Sequence, residues 1–261
     1  MRFLQPLLLT AALVASSSAV AADPAVAVAS NLTSPAREIA ARFREETGIR
    51  VRLSFGSSGN FTSQVQQGAP FQLFISADAE HVEALRRDGF TQGEPVTLAF
   101  ARIGAFVPSG SRLADAEDLG AVMRALQFGR FQRIAMASPE HAPFGKAAMQ
   151  ALTRGGVWAL DRSRVVLGES VAQAVQFTLA GGVDVGFIPL SFALQPEVAP
   201  RGRFFLVPEH WHHPLEQRMA LLKRAGPEAR RFFAFLQSAP AREILERYGY
   251  RVAVVEAAEA G

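Results

Sequence analysis

The sequence predicts an α/β protein built as two lobes joined by two crossing strands, with a ligand cleft between the lobes. Three observations carry this. An apolar strand, a short loop of small or polar residues and an amphipathic helix recur as a unit, the pattern of βαβ units and a mostly parallel sheet. The units fall into two groups along the chain. Apolar segments at 97–108 (TLAFARIGAFVP) and 218–223 (RMALLK) are placed to carry the chain from one group into the other and back.

The first unit is AVAVAS (25–30), then NLTSP, then AREIAARFREETG. Ala36, Ile39, Ala40 and Phe43 share one helical face, Pro35 sits near a helix start where its missing N–H costs little, and Gly48 ends the helix. The second is VRLSF (51–55), GSSGN and FTSQVQQG. A third strand, QLFIS (72–76), passes through Ala77 and Asp78 into AEHVEALRRDG. The second group begins with RIAMAS (133–138), PEHAPFG and KAAMQALTRGG. It continues with RVVLG (164–168), Glu169–Ser170 and VAQAVQFTLAGG, and then DVGFIPLS (184–191), which reads as a buried strand. After Gly226, ARRFFAFLQ and AREILERYGY give two C-terminal helices, with Phe232, Phe233, Phe235 and Leu236 expected in the core. The expected organisation is a leader at 1–22, a first lobe at 23–102, a second lobe at 103–215, and a return segment with C-terminal helices of the first lobe at 216–261.

Composition narrows the function. The chain has 261 residues, 49% hydrophobic and 20% charged, as a globular protein requires. Its 27 basic residues are scattered among 24 acidic ones for a net charge of +3, with no basic run to track a nucleic acid. Arg2, the apolar run 3–14 and the small residues SSSAVAA (16–22) form the pattern of a secretory signal peptide cut after about Ala21 or Ala22. Export to the periplasm is therefore expected. With no cysteine there is no lipid-anchor site, disulfide, thiol nucleophile or Cys-ligated zinc, so the exported chain is expected not to be membrane-inserted.

The loops carry the chemistry. Ser30–Asn31, Ser57–Ser58–Gly59, Phe144–Gly145 and Ser170–Val171 each fall where a strand's carboxyl end meets a helix start. A helix N-terminus presents free N–H groups and about +0.5 of an elementary charge, which suits an anion. Any one of these starts reads as an ordinary N-cap; four, two in each half of the chain, point to one shared oxyanion. The stretch SFGSSGNFTSQV (54–65) has no Lys or Arg, so the anion would be held by neutral dipoles. Such a site favours a fully ionised dianion such as molybdate, tungstate or sulfate. Phosphate near neutral pH keeps a proton and wants an acceptor; Glu140, Glu169 and Asp78 lie near these loops, which keeps phosphate open.

Other constellations are weaker. Glu209 and HWHH (210–213) read as surface histidines around a packed Trp211 rather than a metal site. His81 is expected on a solvated helix face and His141 in the third loop. No G-x-S-x-G elbow, S-x-x-K pair or phosphate-binding G-x-x-x-x-G-K-[ST] loop occurs. An enzyme is therefore not expected. The alternative of another class, a secreted serine hydrolase, needs a histidine within reach of Ser30, Ser58 or Ser170.

The stretches AVASNLTSP, FGSSGN, GAPFQLFISAD, ASPEHAPFGKAA, GESVAQAVQF, DVGFIPLS and AREILERYGY, in this order over nearly the whole chain, resemble the periplasmic molybdate-binding proteins, the receptors of molybdate ABC importers. The resemblance implies the type II periplasmic binding protein fold, two Rossmann-like lobes closing on one tetrahedral oxyanion. It implies binding of molybdate, with tungstate, and delivery to a membrane permease by a monomer. No cofactor is implied; the metal enters only as the oxyanion, without direct protein–metal ligands. Sulfate or phosphate is the alternative ligand. By position, Ser30 and Asn31 supply hydroxyl, amide and backbone donors, Ser58 a hydroxyl, and Phe144 and Val171 backbone N–H groups. Two positions depart from the pattern. Pro189, which has no donor, stands where some members carry a ligand-binding Tyr, a contact that Asn31 replaces in one subgroup. Gln72 stands where Asp is common.

Overall fold

The computed structural model describes residues 23–157 and 161–252; the expected leader at 1–22 and the end of the return segment, 253–261, lie outside them. Strand β1 (Ala25–Ala29) leads through one short helical turn (Ser30–Leu32) into α1 (Thr33–Thr47). β2 (Arg52–Gly56) leads into α2 (Ser58–Gln66), and β3 (Leu73–Ser76) into α3 (Ala79–Arg87). β4 (Thr91–Ala101) and β5 (Ile103–Pro108) follow, then α4 (Leu119–Gln127), β6 (Ile134–Ala137) and α5 (Pro143–Arg154). Next come β7 (Val165–Gly168), α6 (Val171–Ala180), β8 (Val185–Pro189), the short α7 (Leu190–Ala193) and β9 (Gly202–Leu206). β10 (Leu215–Leu222), α8 (Pro227–Phe235), α9 (Ala239–Arg247) and β11 (Arg251–Val252) are the last elements of the described residues.

The strands form two sheets, ordered β11-β4-β10-β3-β1-β2 and β7-β6-β8-β5-β9. Each holds three parallel strands whose first member in sequence lies in the middle: β2-β1-β3 in one, β7-β6-β8 in the other. Antiparallel strands extend each sheet beyond the third parallel member. The segment 97–108 is therefore not one strand. It divides at Arg102, whose carbonyl accepts from Leu190 N–H at 2.9 Å, so β4 stays in the first sheet and β5 enters the second. The return runs from β9 to β10, which inserts between β3 and β4.

Burial follows residue type. Every residue of β1 (AVAVA) is buried, as expected of a central strand covered on both faces. On α1, Ala36, Ile39 and Phe43 are buried; the Phe43 ring lies 5.1 Å from Phe232 and 5.3 Å from Phe235, centroid to centroid. The C-terminal helix α8 thus packs back on α1 and closes the core of the first lobe. Gly48 terminates α1 at φ 74°, in the left-handed region that favours glycine. Gln72 has a structural partner: its Oε1 accepts from Gly226 N–H at 2.9 Å, tying β3 to the start of α8. Helix α2 starts at Ser58 rather than Phe61, because the Ser57 hydroxyl caps it by accepting from Asn60 N–H.

Candidate oxyanion site

The carboxyl ends of β1, β2 and β3 in one sheet face the N-termini of α5 and α6 in the other. A small cavity lies between them. Ala29, Ser30 and Asn31 line it from the end of β1, Gly56, Ser57 and Ser58 from the end of β2, and Ala77 from the end of β3. Ala142, Pro143 and Phe144 close it from the start of α5, and Val171 from the start of α6. All five residues proposed from sequence are among these. The space is tight, about 10 Å³. Wider grooves of about 400 and 360 Å³ lie elsewhere, beside Trp211 and between α3 and α5, and are open to solvent. The small cavity is the one that strand ends and helix starts converge on, as binding sites of α/β sheets do.

Among the described residues that line the cavity, none carries an ionisable side chain. Its polar groups are hydroxyls, one carboxamide and main-chain N–H groups. Phe144 is the second residue of α5 and Val171 the first of α6, so neither N–H has an acceptor within its own helix. Ser58 is fully buried, and its Oγ accepts from Ala77 N–H at 3.0 Å, which leaves its own proton to donate. Ser30 Oγ accepts from Ala172 N–H at 3.3 Å, bridging the first sheet to the first turn of α6. Several donors expected from sequence are spent elsewhere: Gly59 N–H goes to His141 O and Gly145 N–H to Ala142 O. The Ser170 hydroxyl caps α6 by accepting from Gln173 N–H.

Asn31 departs from the expectation that its side-chain amide faces the ligand. Nδ2 donates to Gln217 Oε1 at 2.7 Å and to the Tyr250 hydroxyl at 3.0 Å, which uses both protons. The Tyr250 and Ser191 hydroxyls both donate to the Asn31 carbonyl, at 2.8 and 2.9 Å. The first donor loop is thus clamped by β10, by the C-terminal segment and by α7. Burial pushes the Tyr250 phenol up, more than its bonds with Ser191 and Asn31 lower it, so it stays a neutral donor. Asn31 Oδ1 is buried without a partner among the described residues. Gln217, Ser191 and Tyr250 were missed from sequence. Their only signal is type: each is a polar residue inside an apolar or terminal segment.

Around the rim, His81 is not on a solvated face. It is largely buried, with Nδ1 2.8 Å from Asp78 Oδ1, because Asp78 caps α3 and holds the ring one turn on. Burial would raise the Asp78 carboxyl, but bonding and charge from His81, with the Ser76 hydroxyl, hold it below the usual carboxylate range. Glu80 pairs with Lys146 of α5 at 2.9 Å, across the gap between the sheets. His212 donates Nδ1–H to its neighbour's carbonyl at His213, and among the described residues no three His, Cys, Asp or Glu side chains are placed to hold a metal ion. No hydrogen bond of Ser30, Ser58 or Ser170 among the described residues involves a histidine, the partner that the hydrolase alternative needs. Among the described residues no helix is long and apolar enough to cross a membrane.

Residues 24–251 match the family described as bacterial extracellular solute-binding protein. The molybdate-binding protein ModA of Azotobacter vinelandii is 36% identical over 236 residues, covering 89% of this chain and 91% of that protein. That of Rhodobacter capsulatus is 35% identical over 235 residues, covering 89% of each. The solved structure of the Azotobacter vinelandii periplasmic molybdate-binding protein aligns with a TM-score of 0.80 at 29% identity, over 89% of this chain and all of that one.

Proposed function

Because the chain belongs to the bacterial extracellular solute-binding proteins, and among them to the molybdate-binding proteins, we propose that it captures molybdate between its lobes and hands it to the permease of an ABC importer. The observation that carries this is the cavity where strand ends meet helix starts, rich in hydrogen-bond donors and lined by no charged side chain. A dianion without protons suits such a surface. Each oxygen accepts from fixed N–H and O–H dipoles, and no buried counter-charge has to be desolvated.

In this reading the ligand accepts from the hydroxyls of Ser30 and Ser58 and from the main-chain N–H groups of Asn31, Phe144 and Val171. The Asn31 side chain holds the loop rather than the anion. Tungstate, with the same shape and charge, binds alongside molybdate. Sulfate is selected against by size, since its shorter bonds leave its oxygens short of donors fixed on two lobes. The units that move are the lobes 23–102 with 216–261, and 103–215, hinging at Arg102 and the segment before β10. The protein works as a monomer in the periplasm, after removal of the leader 1–22.

A second ligand, phosphate, is favoured by one observation. Asn31 lines the cavity, and its buried Oδ1, without a partner among the described residues, is an acceptor for the proton of hydrogen phosphate. The Asp78 carboxylate, engaged by His81 and Ser76, does not line the cavity. Calorimetric titration of ligand-stripped protein with molybdate, tungstate, sulfate and phosphate separates these. Saturable binding of the two metal oxyanions, with sulfate and phosphate far weaker, is expected. Tighter binding of sulfate or phosphate than of molybdate would overturn the assignment.

A further inference from the structure

We infer that Gly59 is the point of contact that limits lobe closure, and that its missing side chain lets the donors of the two lobes reach one oxyanion. This rests on the binding function proposed above and names a positioning residue for it. Gly59 is the second residue of α2, directly after Ser58, and its N–H donates to the carbonyl of His141 in the other lobe at 2.9 Å. A Cβ built at Gly59 would stand 2.8 Å from that oxygen and 3.1 Å from His141 Cα. These are main-chain atoms, which cannot swing aside as a side chain does. The loop that presents them is tied down: Ser138 N–H donates to Gly168 O at 2.7 Å and Ala142 N–H to Ser138 O at 2.9 Å.

The backbone itself does not demand glycine here. Gly59 is not among the glycines of positive φ, and it lies in a helix, where alanine is the better former. What excludes a side chain is chiefly the opposite lobe; within its own lobe the same Cβ stands 3.2 Å from His81 Nε2, the end of a side chain. The contact also sits where it matters, because Ser58 precedes Gly59 on one side and Phe144 follows His141 by three residues on the other. Both line the cavity. A methyl group at 59 would wedge the two donor loops apart and leave α2 intact.

The test compares Gly59→Ala and Gly59→Ser with the parent. Gly110→Ala serves as a control, since a Cβ there meets nothing within 4 Å. Without ligand, both Gly59 variants are expected to melt at or above the parent temperature. Their molybdate affinity is expected to fall at least tenfold, chiefly through a faster off-rate. Small-angle scattering in saturating molybdate should give a larger radius of gyration than the parent, with Gly110→Ala unchanged throughout. Parent-like affinity and off-rate in both Gly59 variants would overturn the inference. So would weakened binding accompanied by an equal loss of ligand-free stability, which marks a fold defect. The parent is titrated first. If it binds another oxyanion instead of molybdate, the ligand assignment fails and the variants are read with the anion it does bind.

Discussion

Ser58 shows how one hydroxyl serves both fold and site. Its oxygen accepts from Ala77 N–H, joining the ends of β2 and β3, while its proton is free for the cavity. Ser58→Ala should therefore act twice. Molybdate affinity measured by calorimetry should fall by about 1–3 kcal/mol, the cost of a lost bond to a charged ligand. The melting temperature without ligand should also fall, because a buried N–H is left unpaired. Unchanged affinity with lowered stability would make Ser58 a structural residue only. Serine in a glycine-rich turn was visible in the sequence; the Ala77 partner, 19 positions away, was not.

At the scale of the element, α3 depends on its first turn. Asp78 caps it by accepting from His81 N–H, and the same carboxylate holds the His81 ring. Its pKa is lowered in the folded state, so its contribution is present above the ordinary carboxylate value and lost as pH falls through the lowered one. Asp78→Ala should destabilise by about 0.5–2 kcal/mol at neutral pH. The gap between parent and variant in urea unfolding should narrow below about pH 4. A gap that persists undiminished at pH 2 would show that the carboxylate charge is not what the helix uses. Sequence placed this helix after Asp78 but did not read Asp78 as its cap, and it set His81 in solvent. The spacing Asp78 to His81 is the signal that was there to read, since residues three apart on a helix face each other.

For the whole molecule, the cavity is assembled from both sheets, so an anion bound there links them. Ligand at 100 times its dissociation constant should add about 2.7 kcal/mol to unfolding. The melting curve should shift upward with molybdate concentration, and a curve that does not move at saturation would mean that binding does not stabilise the closed arrangement. The repeated sheet order, with the first parallel strand central in each lobe, explains the convergence. In both lobes the strands end toward the junction, and the helix starts that follow come face to face.

The two groups of strand–loop–helix units and the four loops at helix starts are written in local periodicity and loop composition; the resemblance to the molybdate-binding proteins picked Ser30, Asn31, Ser58, Phe144 and Val171 from those loops, and all five line one cavity. Tertiary structure alone decided which donors remain free. The loss of Gly59 N–H to His141, the clamp of Tyr250, Ser191 and Gln217 on Asn31, and the division of 97–108 at Arg102 all depend on groups far apart in the chain. A hydrogen bond is spent according to what lies within about 3 Å of it, and that is fixed only when two sheets pack.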